Sequence, residues 1–202
     1  MAPDAADPDV PETRLARGGW ELTDKRVETV FQLQRATVVG TTKLYDDVRT
    51  REAAMAAADI DQQWRFFFAT ALTFRPPLAP GIGPKVLLPT VRSEAGSTFA
   101  AELRDRGFAD VTRGRKERVR TDSGEKAQLR SYTAKLPLDA AGRLSITGWV
   151  GVWYGDGFRI AAGAYPDRPV GEILGVDDPD EALARSPADY REELLGLIRA
   201  VE

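Results

Sequence analysis

The sequence contains no histidine, no cysteine and no asparagine. Without cysteine there can be no disulfide, no thiolate nucleophile and no cysteine-ligated metal. Without histidine, imidazole bases, His-containing catalytic triads and the common zinc sites are excluded. Lacking asparagine, the chain has no N-glycosylation acceptor. Most familiar catalytic and metal-binding arrangements are therefore ruled out, and we expect no resident metal and no cofactor.

A charge excess of one sign is also missing. The chain has 28 basic and 31 acidic residues, and its formal net charge is −3. This balance gives no general attraction to nucleic acid or to an anionic membrane. Nucleic acid is therefore not an expected partner unless a local patch of cations supplies the attraction.

Long hydrophobic runs are absent as well. A membrane-spanning helix needs about 18 consecutive apolar residues, and the densest apolar stretch, residues 64–74, is shorter and contains Arg65. The first residues are acidic and rich in proline and alanine, without the basic and apolar regions of a signal peptide. We expect no membrane span, and a cytoplasmic location if Met1 is the native start.

The chain order predicts a flexible leader over residues 1–17 and one α+β domain over residues 18–202. Residues 20–24 and 27–34 are predicted as short strands joined by a turn at Lys25 and Arg26. A second tight turn at Gln34 and Arg35 leads to a third strand from residue 36, with Gly40 as a candidate bulge. A helix capped by Asp46 or Asp47 follows. Residues 64–74 are apolar on both faces, which is typical of a central strand covered on both sides.

The second half of the chain reads as one long helix, two hairpins and a final helix. Pro89 fits the first turn of the long helix and Gly107 ends it. The hairpin turns are predicted at residues 121–124 and 155–157, a polar loop at 166–180, and a helix capped by Ser186 after it. This order predicts a central antiparallel β-sheet with helices packed on both faces, an α/β/α sandwich.

Two tryptophans form the first candidate site. Trp149 and Trp153 point to the same face of one predicted strand, with Gly151 between them and Tyr154 next to them. A notch between two indoles can bind a sugar, a base or an apolar ligand. The simpler interpretation is that both indoles belong to the core and that Gly151 makes room for a helix.

A basic strand is the second candidate, for nucleic acid. It contains Arg113, Arg115, Lys116, Arg118 and Arg120, and the alternation places Lys116, Arg118 and Arg120 on one face. Exposed aromatic residues, which would favour single-strand binding, are missing from this segment. The alternative is a solvated edge hairpin whose charges protect it from aggregation.

An acidic segment near the end is the third candidate. Asp177, Asp178, Asp180 and Glu181 could hold Ca²⁺ or Mg²⁺, but the spacing and glycine of an EF-hand loop are absent. A better interpretation is that Asp178 caps a short helix that Pro179 opens and Glu181 supports. We therefore predict no metal site here.

Trp20 with the strands after it, the long helix ending in Gly-Phe, the hairpin GWVGVWYGDG with AAGAYP, and the capped final helix resemble a family of uncharacterised haloarchaeal proteins. The order of elements also resembles the PsbP/Mog1-like α/β/α sandwich. Because PsbP-like proteins are mostly non-catalytic partners of larger assemblies, this resemblance implies binding more than catalysis.

The absence of recognisable catalytic spacings favours a non-enzymatic binding or accessory domain for a protein or a small ligand. The alternative is a carboxylate-dependent hydrolase or isomerase that uses Asp or Glu with Tyr or Arg. A third hypothesis is nucleic-acid binding through residues 113–120. A cleft with converging Asp, Arg and Tyr of shifted pKa would favour the enzyme.

Overall fold

A seven-stranded, fully antiparallel β-sheet organises the chain. The computed structural model describes residues 6–33, 36–78, 83–138 and 142–202. The strands lie in the order β1-β2-β3-β7-β6-β5-β4, which confirms the predicted α+β fold around an antiparallel sheet. Their bounds are β1 Trp20–Leu33, β2 Ala36–Asp47, β3 Phe66–Arg75, β4 Ala109–Arg120, β5 Lys126–Leu138, β6 Gly142–Tyr154 and β7 Phe158–Pro166.

Helices cover both faces of the sheet. Their bounds are α1 Glu12–Gly18, α2 Val48–Ala58, α3 Pro84–Asp105, α4 Val170–Leu174, α5 Glu181–Ala184 and α6 Pro187–Arg199. One core cluster joins the sheet to α2, α3, α4 and α5, and we call that side the α3 face. A second cluster joins the other side to α1 and α6, and we call it the α6 face.

Strand β3 confirms the prediction of a central strand covered on both sides. Phe66 and Phe74 are buried in the cluster of the α3 face. Phe67 and Ala69, which alternate with them, are buried in the cluster of the α6 face. Because successive side chains of a strand point to opposite faces, a strand with apolar residues at every position requires a helix layer on each side.

The two short strands predicted for residues 20–34 are one long strand. Lys25 and Arg26, predicted as a turn, pair with Lys43 and Thr42 inside the β1–β2 ladder. The ladder instead contains two bulges, at residues 23 and 30 of β1, so the predicted bulge at Gly40 is wrong. The predicted turn at Gln34 and Arg35 lies outside the described residues.

The long helix starts earlier than predicted. Helix α3 begins at Pro84, so Pro89 lies inside the helix and not in its first turn. Both prolines satisfy the same preference for a helix start, and the sequence alone favoured the wrong one. The other end is as predicted: Gly107 has a φ of +89°, and the Phe108 amide donates back to the Leu103 carbonyl at 3.0 Å.

The leader prediction is wrong for residues 8–17. Val10 and Leu15 are buried in the cluster of the α6 face, and residues 12–18 form α1. The segment is also fixed by main-chain hydrogen bonds of 2.8 and 3.0 Å between Asp9 and Glu202. Composition did not reveal this, because two apolar residues suffice when the sheet already offers an apolar surface.

The polar loop predicted at residues 166–180 contains the short helix α4, whose Val170 and Ile173 are buried. Asp180, not Asp178, caps α5 by accepting a hydrogen bond from the Leu183 amide. The caps of α2 and α6 are as predicted. Asp47 caps α2, and Ser186 forms a capping box at the start of α6.

Candidate functional site

A narrow apolar cleft opens on the α3 face, between α3 and strands β1–β3. We call it the α3 cleft. It exists because α3 crosses β6 and leaves part of the β1–β3 surface uncovered by a helix. Its lining is formed by Arg26, Glu28, Val30, Phe31, Thr42, Leu44, Phe68, Thr70, Ala95, Thr98, Phe99, Glu102, Arg106 and Ile160.

The floor of the cleft depends on a bulge and a glycine. The bulge at Val30 brings this side chain over Gly40, where an added Cβ would lie 2.8 Å from Val30 and 2.9 Å from Thr70. Beside it, the hydroxyls of Thr42 and Thr70 share a hydrogen bond of 2.8 Å and are buried. The β2–β3 register places these two threonines opposite each other. The floor is therefore apolar apart from one pair of hydroxyls.

Aromatic rings form the walls. The rings of Phe68 and Phe99 lie 6.2 Å apart between centroids, and Phe31 and Leu44 are only partly buried although they are apolar. The enclosed volume is about 60 Å³. Sites that enclose a drug-sized ligand measure roughly 300 to 1,000 Å³, and an apolar cavity that holds benzene measures about 150 Å³. This cleft therefore encloses only the edge of one ring or the end of one chain, and the rest of a ligand would lie at its open mouth.

The mouth of the cleft is charged but balanced. Arg26 contacts Glu28 at 2.9 Å, and Arg106 contacts Glu102 at 2.9 Å. The guanidinium of Arg106 also donates to Gln63 and stacks over the ring of Phe66 at 4.4 Å. Because both arginines already have carboxylate partners, the mouth offers no strong attraction to a ligand of either charge.

The space of the predicted aromatic notch is filled by other residues of the protein. Trp149 and Trp153 are 2 % and 1 % exposed. The space above Gly151 is filled by α6 and β5, because an added Cβ would lie 3.2 Å from Ile198 and 3.4 Å from Leu129. Tyr154 lies on the opposite face, where it packs edge-on against Phe158 at 4.9 Å. The two indoles belong to the core.

The predicted basic residues all lie on the edge strand β4 and are exposed. Lys116, Arg118 and Arg120 share the α3 face, because each pairs with a residue of β5 that lies on the same face as Tyr132. Arg113 pairs with Tyr132 itself. Arg115 lies on the other side, with its guanidinium 5.4 Å from the Trp149 ring. The structure therefore brings four of the five together.

The acidic segment does not gather into a metal site. Asp180 is occupied in capping α5, while Asp177, Asp178 and Glu181 are exposed. Throughout residues 6–33, 36–78, 83–138 and 142–202, no group of three or more carboxylates could hold a metal ion.

A buried arginine ties the α6 face together. Arg65 is 1 % exposed and donates to Asp47 and to Glu193, each at 2.6 Å. Its guanidinium lies between two rings, 4.7 Å from that of Trp20 and 4.4 Å from that of Tyr190. Burial raises the pKa of Tyr190 to about 12.

This network combines Asp, Glu, Arg and Tyr, which the enzyme hypothesis requires, but its carboxylates are fully used. Both oxygens of Asp47 accept hydrogen bonds from Thr50, and one also accepts from Arg65. Glu193 accepts from Trp20, Arg65 and Arg185. Burial alone would raise the pKa of Glu193, but Arg65, Arg185 and Trp20 together outweigh burial and hold this pKa below its ordinary value. Such a carboxylate is a poor base, and the network serves as a structural clasp.

Another buried carboxyl, Asp46, lies on the α3 face at the end of β2, opposite Phe66. One of its oxygens accepts a hydrogen bond of 2.9 Å from Arg51. Burial raises the pKa of Asp46 above its ordinary value, although Arg51 opposes this shift. Asp46 is not among the residues that line the α3 cleft.

Sequence reasoning missed the α3 cleft entirely. Its lining comes from four strands, β1, β2, β3 and β7, and from helix α3. The one signal in the sequence was an excess of apolar residues: Phe31 and Phe68 lie on strands whose other residues already provide enough apolar side chains for the core. No pattern in the sequence predicts that Thr42 and Thr70 are in contact, because their contact depends on the register of β2 against β3.

No helix in the described part of the chain is long and apolar enough to cross a membrane.

Comparison with known proteins identifies a family but no activity. No curated protein matches the sequence. Residues 7–202 match the family model described as Domain of unknown function (DUF6517), and since this match spans nearly all of the chain, the protein belongs to that family.

Proposed function

We propose that this protein is a binding domain that holds a small, uncharged, ring-containing molecule in the α3 cleft. The observation that supports this most strongly is the lining. Partly exposed Phe31, Leu44 and Phe68 surround a floor that carries one pair of hydroxyls. Apolar side chains around a few placed polar groups are the usual composition of a small-molecule site.

The charges around the cleft support a neutral ligand. Each arginine at the mouth is paired with a glutamate, so a charged ligand would gain little there and would lose hydration on entry. The hydroxyls of Thr42 and Thr70 use one donor on each other, which leaves one hydrogen and several lone pairs for a ligand. A ring with one hydroxyl or carbonyl group satisfies this pattern.

The same features make the binding hypothesis preferable to the carboxylate-dependent hydrolase or isomerase. The two carboxylates that line the cleft, Glu28 and Glu102, are ion-paired at its mouth, away from the apolar floor.

The resemblance of the element order to PsbP/Mog1-like proteins, and the haloarchaeal origin, remain predictions. That resemblance also favours binding over catalysis.

The test is calorimetric titration with four probes: benzene, phenol, cyclohexanol and benzoate. Phenol and cyclohexanol are expected to bind and to raise the unfolding midpoint by mass action. Benzoate should bind at least roughly tenfold more weakly, because its charge must be desolvated without a free partner. Binding of benzoate as tight as that of phenol would contradict the neutral-ligand proposal.

Two neighbouring tryptophan variants localise the binding. Thr98 is exposed and lines the α3 cleft, whereas Ser97 is exposed and faces the other side of α3. Thr98→Trp is expected to cover the cleft and abolish binding, while Ser97→Trp leaves it unchanged. Equal effects of the two variants, or no binding of any neutral probe by the wild type, would refute the proposal.

A further inference from the structure

Eight cations surround the groove between α3 and the edge strand β4. We call them the basic surface: Arg92 and Arg104 of α3, Arg113, Lys116, Arg118 and Arg120 of β4, and Lys126 and Arg130 of β5. The strand residues lie on the α3 face because they share the pairing pattern of Tyr132, whose hydroxyl abuts α3 at Gly96. The sequence places three of these cations on one face, Lys116, Arg118 and Arg120, and the structure adds the other five.

The cations stand on both sides of the groove. Residues 92, 96, 100 and 104 are spaced four apart and form one stripe on α3, so Arg92 and Arg104 are about 18 Å apart along the helix. Arg104 and Arg113 line a groove of about 260 Å³ together with the serines at 93 and 97. At the other end, Arg92 lies close enough to Arg118 for the two charges to repel each other.

These charges are not neutralised within the protein. None of the eight has a carboxylate within 4.0 Å among the residues that the structure describes. Arg120 and Arg130 donate only to the main-chain carbonyls of Gly124 and Gly114, which leaves their positive charge in place.

Burial and a nearby cation change the protonation equilibrium of Arg92. Burial, and next the nearby charge of Arg118, lower the pKa of Arg92. Its Nε atom is buried without a hydrogen-bond partner in the described structure, and the same holds for Arg130. An anion in the groove would relieve the repulsion between the guanidinium groups of Arg92 and Arg118.

We propose that the basic surface binds the phosphate backbone of a nucleic acid, independently of its sequence. Cations on alternate residues of a strand are about 6.7 Å apart, which suits a chain of regularly spaced phosphates. Because no aromatic residue of β4 or β5 is exposed for stacking on bases, the contacts are restricted to the backbone.

Protection of a sheet edge accounts for only some of these cations, and binding to an anionic membrane would also require exposed apolar side chains. Protection of a sheet edge requires cations on β4 alone, and it does not explain Arg92 and Arg104 on the helix. An anionic membrane usually also receives apolar side chains. The large apolar residues exposed in the described structure are Leu22, Val27, Met55 and Val86. Only Val86 lies on an element of the basic surface, in the first turn of α3, and none lies on β4 or β5.

The experiment is fluorescence anisotropy with a labelled single-stranded 20-mer and a 20-base-pair duplex, from low to physiological salt. Wild-type protein is expected to bind at low salt. For about four phosphate contacts on a single strand, log Kobs should fall with log salt with a slope of about −3. Failure to bind either oligonucleotide at low salt would overturn the proposal.

A charge-matched pair of variants localises the binding. Arg113→Glu with Arg118→Glu reverses two cations of the basic surface, and Arg17→Glu with Arg143→Glu reverses two on the α6 face. Each of the two double variants makes the net charge of −3 more negative by four. The first pair should weaken binding at least tenfold and the second less than about threefold, as expected for local phosphate contacts.

Equal losses in the two variants would mean that only net charge matters and would refute a localised surface. Binding to phosphatidylserine vesicles without binding to either oligonucleotide would refute it in favour of a membrane. If the charge reversal alters the circular dichroism spectrum, Arg113→Gln with Arg118→Gln replaces it, and undiminished binding by that variant refutes the proposal.

Discussion

Replacing Arg65 with methionine tests the clasp on the α6 face. Methionine fills most of the apolar volume of arginine but provides neither the charge nor the two hydrogen bonds to Asp47 and Glu193. Asp47 is 1 % exposed, so its carboxylate would remain buried without its cationic partner. Removing one member of a buried ion pair costs about 3 to 5 kcal/mol.

For a chain of this size, each kcal/mol shifts the unfolding midpoint by about 2 to 4 °C. We therefore expect Arg65→Met to lower the midpoint by roughly 6 to 20 °C. Urea unfolding followed by tryptophan fluorescence measures the same loss at constant temperature. Arg143→Met is the control, because exposed substitutions usually change the free energy of unfolding by less than about 0.5 kcal/mol.

A double variant separates the ion pair from general packing. Asn at position 47 keeps an oxygen for the Thr50 amide but removes the buried charge. Arg65→Met with Asp47→Asn should therefore be more stable than the sum of the single variants predicts, by about 0.5 to 3 kcal/mol. A loss below about 1 kcal/mol for Arg65→Met alone would show that the buried pair contributes little net stability, and the reasoning would be wrong.

Two further predictions concern the core and the response to pH. Gly151→Val should lower the free energy of unfolding by about 1 to 3 kcal/mol through overpacking against Ile198, and Ile198→Ala should restore part of it; two additive losses in urea unfolding would contradict the contact. Because the pKa of Glu193 is lowered on folding, the stability of wild type relative to Glu193→Gln should decrease as pH falls through the folded pKa. Because the pKa of Asp46 is raised on folding, the stability of wild type relative to Asp46→Asn should instead decrease as pH rises from the unfolded toward the folded pKa; slopes of the same sign would refute these assignments.

The parts of the fold that local rules determine could be predicted from the sequence. Residues 66–74 are apolar apart from Thr70 and Thr73, and a short segment that is apolar on both faces is typical of a strand between two layers. Ser186, followed by Pro187 and Asp189, satisfies every requirement of a helix start, and the structure has that capping box. Both hairpin turns, at residues 121–124 and 155–157, also lie where the pattern predicts them.

The errors occur where a distant partner decides. Trp149 and Trp153 alternate in the same way whether a ligand or a helix covers them, and only the docking of Ile198 decides between the two. Lys25 and Arg26 resemble a turn, but pairing with β2 keeps them extended. The α3 cleft was unpredictable for the same reason, since it depends on the bulge at Val30 and on the position of α3.

The order of strands in the sheet has a consequence for how the chain assembles. Every neighbouring pair except β3–β7 is made of strands that follow each other in the chain, while β3 meets β7 across more than 80 intervening residues. Local pairs form quickly and distant pairs slowly, so we expect two meanders, β1–β3 and β4–β7, to form before they join. Until then Phe66–Arg75 and Phe158–Pro166, both apolar along most of their length, are unpaired edges, and the half-assembled chain is at its most vulnerable to aggregation.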